Sequence, residues 1–112
     1  MALQTGNWTF NGVGSAGNLS VTGVDDQGNV QGTLDGNAIQ GFFDSNARKL
    51  VFMCTNPNDG SIQLFSGYLF SSVKVDFLQE TLIGTVESFY GSGPQVQVST
   101  DGWYANIGHV IT

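Results

Sequence analysis

Few side chains in this sequence stand where catalysis would need them. His109 is the single histidine. No cysteine or hydroxyl lies at a recognisable spacing from it, so it reads as a strand-end histidine bonded to backbone or water. General acid–base work needs two carboxylates flanking a bond. Glu80 and Glu87 stand an odd number of residues apart in one extended run, which sends them to opposite faces. Asp25 and Asp26 sit in the turn "DDQGN" and are expected to be solvated. "NPNDG" (56–60) lacks the alternating acids and closing glutamate of a calcium loop, and reads as a turn. No phosphate loop with Gly-Lys-Ser/Thr occurs. Cys54 lies in the apolar run "KLVFMC", where a lone cysteine is an inert core thiol. No metal or cofactor is implied, and an enzyme is not expected.

One polar loop is left. "NWTFNGVGS" (7–15) sets an aromatic strand against a glycine-loosened end. Asn11 and Ser15 there either hold a ligand or bond local backbone and close a turn, and the turn is favoured. Trp8 and Trp103 either plug a core or wall a ligand, with the plug favoured. Gln63 shares a face with Phe65 and is the best hydrogen-bonding candidate of its strand. Asn11, Ser15 and Gln63 are therefore candidate ligand-binding residues, for a small and mostly apolar ligand, and the resemblance described below adds Trp103.

Composition narrows the partners. The chain has 112 residues, one domain's worth, read as a single domain over 1–112. A chain of this size removes roughly 65% of its unfolded surface from water on folding. Charged residues are 11% of the total, against the ~25% usual for soluble domains. Nine acids face three basic residues, Arg48, Lys49 and Lys74, for a net charge of -6. Binding to a phosphate backbone takes several Lys or Arg contacts, so nucleic acid and anionic membrane surfaces are excluded as partners. No basic region precedes an apolar stretch at the N-terminus, and no apolar run approaches ~18 residues. The expected location is cytoplasmic.

Strands have to carry these residues. Sixteen glycines and two prolines punctuate short runs of alternating apolar and polar residues, and no window repeats at helical spacing. Eight runs stand out: 7–11, 18–24, 29–34, 37–43, 49–55, 61–70, 79–90 and 102–111. "DDQGN", "LDGN" and "NDGS" supply Gly where φ must be positive, with Asp or Asn beside it. Tight turns make neighbours antiparallel, and eight meandering strands remove their edges by closing. The expected fold is all-β, an eight-stranded antiparallel up-and-down barrel. Glycines inside the runs (Gly32, Gly41, Gly67, Gly84, Gly108) fit its sharp bends.

Parity adds a partner. In "SIQLFSGYLF", Ile62, Leu64, Tyr68 and Phe70 share one face while Phe65 and Leu69 share the other, and "KLVFMC" is apolar on both faces too. A barrel interior accounts for one face only. The second face on strands five and six is part-exposed or buried against another subunit, and a homo-oligomer is expected.

The sequence also resembles a family. "TGNWTFNGVGSAGNLSV" followed by "GNVQGTL" is similar to the opening of avidin and streptavidin, where a Thr-Gly-x-Trp strand leads to Asn-x-x-x-Ser and a Gly-x-x-x-Gly-Thr third strand follows. "SIQLFSGYLF" resembles that family's sixth strand, and "DGWYANIGHVIT" its last. The chain is also similar to small bacterial proteins with a "GFFD…GYLF…GTVES…GWYA" pattern. The resemblance implies a streptavidin-like barrel binding a small bicyclic ligand, whose urea oxygen Asn, Ser and Tyr hold in that family. Asn11 and Ser15 keep the Asn-x-x-x-Ser spacing, Leu34 stands where the Tyr would be, and Met53 and Ile83 lie near the positions of the family's Trp walls. Trp103 resembles the family's Trp that reaches a neighbouring subunit's pocket. The family places Asn two residues after the strand's Trp. Here Phe10 has that spacing, and a one-residue shift reverses the face. Phe10 is thus expected to point inward, Asn11 outward, and the interior to be largely filled by side chains. The expected function is a non-enzymatic barrel that self-associates, with weak binding of a biotin-like small molecule as the alternative.

Overall fold

The computed structural model describes residues 3–12, 14–57, 60–92 and 95–110. Its strands are β1 (Gly6–Gly12), β2 (Ser15–Val24), β3 (Asn29–Leu34), β4 (Asn37–Asp44), β5 (Lys49–Thr55), β6 (Ile62–Lys74), β7 (Phe77–Ser92) and β8 (Gln95–Val110). Each pairs antiparallel with the next, and Thr9–Gly12 of β1 pairs with Trp103–Asn106 of β8 to close the barrel. No helix occurs among the described residues. An up-and-down barrel is what alternation and tight turns dictate.

Turn chemistry sets the register. Asp35 and Gly36 link β3 to β4 with φ of 49° and 85°, the pair of positive values that a two-residue type I′ turn demands. The Asp25 carboxylate accepts the Gln27 and Asn29 backbone N–H groups at 2.9 Å each, and the Asn29 side-chain amide as well. That clasp fixes the β2–β3 connection. Inside β7, Gly84 lies against Gly67 and the Ser66 carbonyl, leaving no room for a Cβ. Two strands approach closely there, which lets a small barrel bend.

The interior holds alternate residues of every strand. Trp8, Leu19, Leu50, Leu82 and Val86 are fully buried, and Phe10, Leu34 and Phe43 nearly so. Four rings form one cluster: Phe52 stacks on Phe65 at 4.5 Å between centroids, and Phe10 stacks on Trp103 at 5.7 Å. Phe65 meets both Phe10 and Trp103 edge-on. Such pairs add ~0.5–1.5 kcal/mol each beyond the area they bury.

Most strands run past their expected bounds, the last three among them. β6 runs to Lys74 and β7 begins at Phe77, joined by a turn at Val75–Asp76, and β8 begins at Gln95. The sequence places loops at 71–78 and 91–101. Both stretches alternate only briefly, Val73 with Val75 and Val96 with Val98, yet β7 and β8 pair along their whole length from Phe77↔Val110 to Ser92↔Gln95. Ladder hydrogen bonds carry these strands where burial does not.

Candidate functional site

β1 pairs with β2 without a break in register from Gly6↔Val21 to Gly12↔Ser15, so alternation runs undisturbed along it. Trp8 and Phe10 are buried and point inward; Asn11 follows on the outer wall, half-buried, opposite Ala16 and Tyr104. Ser15 is exposed, and its hydroxyl donates to the Gly12 carbonyl at 3.4 Å across the turn. Asn11 and Ser15 line an open cleft of about 730 Å³ on the outside of β1, β7 and β8, together with Thr81, Ile83 and Tyr104.

Trp103 contributes to the same cleft, but its indole belongs to the interior cluster and is only 2% exposed. Its Nε1–H donates to the Thr85 carbonyl at 3.0 Å, and that of Trp8 donates to the Gln4 carbonyl at 3.1 Å. Both indole donors are thus spent on backbone. Gln63 stands apart from the cleft. It faces the interior in a cross-strand row with Cys54, Ser88 and Ser99, and its Nε2 donates to the Ser88 hydroxyl at 3.4 Å. The structure therefore gathers Asn11, Ser15 and Trp103 around one outer cleft and sets Gln63 inside the barrel.

The remaining chemistry is sparse. Glu80 is buried inside the barrel and Glu87 is exposed outside it. The Ser71 hydroxyl donates to Glu80 Oε2 at 3.4 Å and accepts from Arg48 Nη2 at 3.0 Å, an anchored polar chain without a paired carboxylate. Cys54 is a buried free thiol. Burial raises its pKa, the Asp35 carboxylate raises it further, and a protonated thiol is a poor nucleophile. The hydrogen bonds from Asn29, and behind them those from Gln27 and Gly28, hold the Asp25 carboxyl below the usual carboxylate range. Among the described residues no cluster of His, Cys, Asp and Glu could hold a metal ion. His109 pairs with Leu78 through its backbone, and its side chain, like residues 58 and 59 of "NPNDG", lies outside the described residues.

The outer sheet carries an apolar surface wider than the β5 and β6 faces that alternation marks. Val51 and Met53 of β5 and Ile62, Leu64, Tyr68 and Phe70 of β6 point outward, as parity requires. Phe42 of β4, Ile83 of β7 and Tyr104 of β8 extend that surface, with exposures across the set from 37% at Met53 to 56% at Phe70. An apolar groove of about 470 Å³ runs through it, lined by Phe42, Val51, Met53, Leu64, Ser66 and Thr85. The signal that could have found its breadth was the strand pairing, which sets Ser66 beside both Val51 and Thr85.

No family model and no curated protein matches the chain. Solved structures do. The rhizavidin–biotin complex superposes with a TM-score of 0.67 at 13% identity, over 96% of this chain and 97% of that one. Apo shwanavidin gives 0.66 at 16% identity, over 96% and 100%. A shwanavidin variant in complex with biotin gives 0.65 at 15% identity, again over 96% and 100%. With every strand antiparallel to its neighbours and the eighth closing on the first, this chain has the avidin/streptavidin-like fold.

Proposed function

We propose that this protein is a non-enzymatic barrel, closed inside by its own side chains, that works by associating with itself through the outer face of β4–β8. One observation carries the reading: the large apolar side chains that a ligand-binding barrel would keep around a hollow are packed ring on ring, while a second set is left half-exposed outside. Nine half-exposed side chains of ~200 Å² each present on the order of 900 Å² of apolar surface. A monomer's largest patch is usually ~300–600 Å², and a stable interface takes ~800 Å² from each partner. The surface matches what a dimer needs.

A second reading has its own support. Two of the structural neighbours are complexes with biotin, and Gln63 and Ser88 bring hydrogen-bonding groups to the inner face of one barrel end. On that reading the inward Gln63 and Ser88 hold a biotin-like small molecule at micromolar affinity, while Asn11 and Ser15 stay on the outer cleft, away from it. Light scattering and calorimetry with biotin separate the two. The primary reading expects a mass above the monomer at micromolar concentration and no heat from biotin. A monomer that binds biotin overturns it.

A further inference from the structure

The self-association just proposed leaves open how two copies would meet, and the outer sheet carries a register. Where β5, β6 and β7 pair side by side, their outward residues form rows: Lys49–Tyr68–Ile83, then Val51–Ser66–Thr85, then Met53–Leu64–Glu87, then Thr55–Ile62–Phe89. Two charges occur in this block, and they have opposite signs. Lys49 and Glu87 stand at diagonal corners, each one strand and one row away from Ser66. Lys49 keeps its ammonium 5.5 Å from the centroid of the Tyr68 ring, beside the patch. Glu87 lines the groove.

From this arrangement we infer that a second copy docks face to face about a two-fold axis lying in the sheet surface and passing over Ser66, so that Lys49 of each copy meets Glu87 of the other. A two-fold interface must be self-complementary, with residue i on j and j on i. Reflection across the axis that bisects the Lys49–Glu87 diagonal gives this directly. It also sets Leu64 of one copy over Val51 of the other and Tyr68 over Thr85, a large side chain on a smaller one each time. The groove floored by Ser66 and Thr85 is the hole, and Leu64 and Tyr68 beside it are the knobs. With strands ~4.8 Å apart and alternate residues ~6.8 Å apart, the two sets of strands cross steeply, in the orthogonal class of sheet packing. Aligned stacking about an axis along the strands would set Lys49 over Ile83 and Glu87 over Met53, leaving both charges buried without a partner, which is costly. The charges select the steep crossing.

The test is a charge-swap series followed by sedimentation or light scattering, with circular dichroism to confirm that each variant is folded. The wild type is expected to dimerise at micromolar concentration. Lys49→Glu and Glu87→Lys should each weaken the dimer at least tenfold, because like charges then face one another twice per interface. The double variant Lys49→Glu/Glu87→Lys should regain at least most of that loss. A wild type that stays monomeric overturns self-association and this register together. A wild-type dimer indifferent to either single variant, or a double variant no better than the singles, overturns the register alone and leaves self-association standing.

Discussion

At the scale of single residues, the fate of Trp103 shows how little of a side chain's role its type conveys. A tryptophan near a strand end can wall a ligand or plug a core. Here its ring stacks on Phe10 and its N–H is taken by the Thr85 carbonyl, so both its surface and its polarity are committed inward. Cys54 was easier to read, because an apolar run on both sides leaves a thiol little choice but the interior. Its environment makes a pH prediction. Burial raises the folded-state pKa above the ordinary value of 9.0, so the neutral thiol's contribution to stability is fully present below about pH 9 and is lost as pH rises through the folded-state value. Denaturant midpoints should therefore fall above pH 9 more steeply in the wild type than in Cys54→Val, and a thiol reagent at pH 7.5 should label the folded protein far more slowly than the unfolded chain. Rapid labelling of the folded protein would contradict the buried placement.

Among the elements, two of the two-residue hairpin turns form a contrast. Leu34–Asp35–Gly36–Asn37 announces itself, since Asp-Gly supplies the two positive φ values. Val75–Asp76 does not. Val75 holds φ at 53° and is 94% exposed, and a β-branched residue in that conformation is strained by ~1–2 kcal/mol. The β6–β7 hairpin was therefore illegible as a hairpin: Val-Asp is not one of the Asn-Gly or Asp-Gly pairs that mark a two-residue turn. Asparagine tolerates positive φ. Val75→Asn should accordingly raise unfolding stability by ~1 kcal/mol in urea titration, an unusual sign for a single substitution. A drop in stability would show that the tip gains something from valine that strain does not cancel.

For the whole molecule, the balance lies between a ring cluster packed in the interior and apolar side chains half-exposed outside. Ligand that binds only the folded state raises apparent stability, and a partner subunit does the same by mass action. The melting temperature should therefore climb as protein concentration rises from about 1 μM to 100 μM in the wild type, and stay flat in a folded Leu64→Asp variant whose outer face has been made polar. A flat wild-type curve would count against self-association. Parity in "KLVFMC" and "SIQLFSGYLF" revealed this face on two strands, but its width belonged to the pairing that sets Phe42, Ile83 and Tyr104 alongside. The strands' period, most of their turns, the antiparallel order and the direction in which Phe10 and Asn11 point are all readable from the chain, because each depends on neighbours one to four residues away. That four rings from four strands meet in the interior, that Gln63 faces Ser88, and that Lys49 and Glu87 flank one groove emerges from the folded barrel alone. Those are contacts between strands distant in the chain, and they exist only once closure has fixed how far each strand slides against the next.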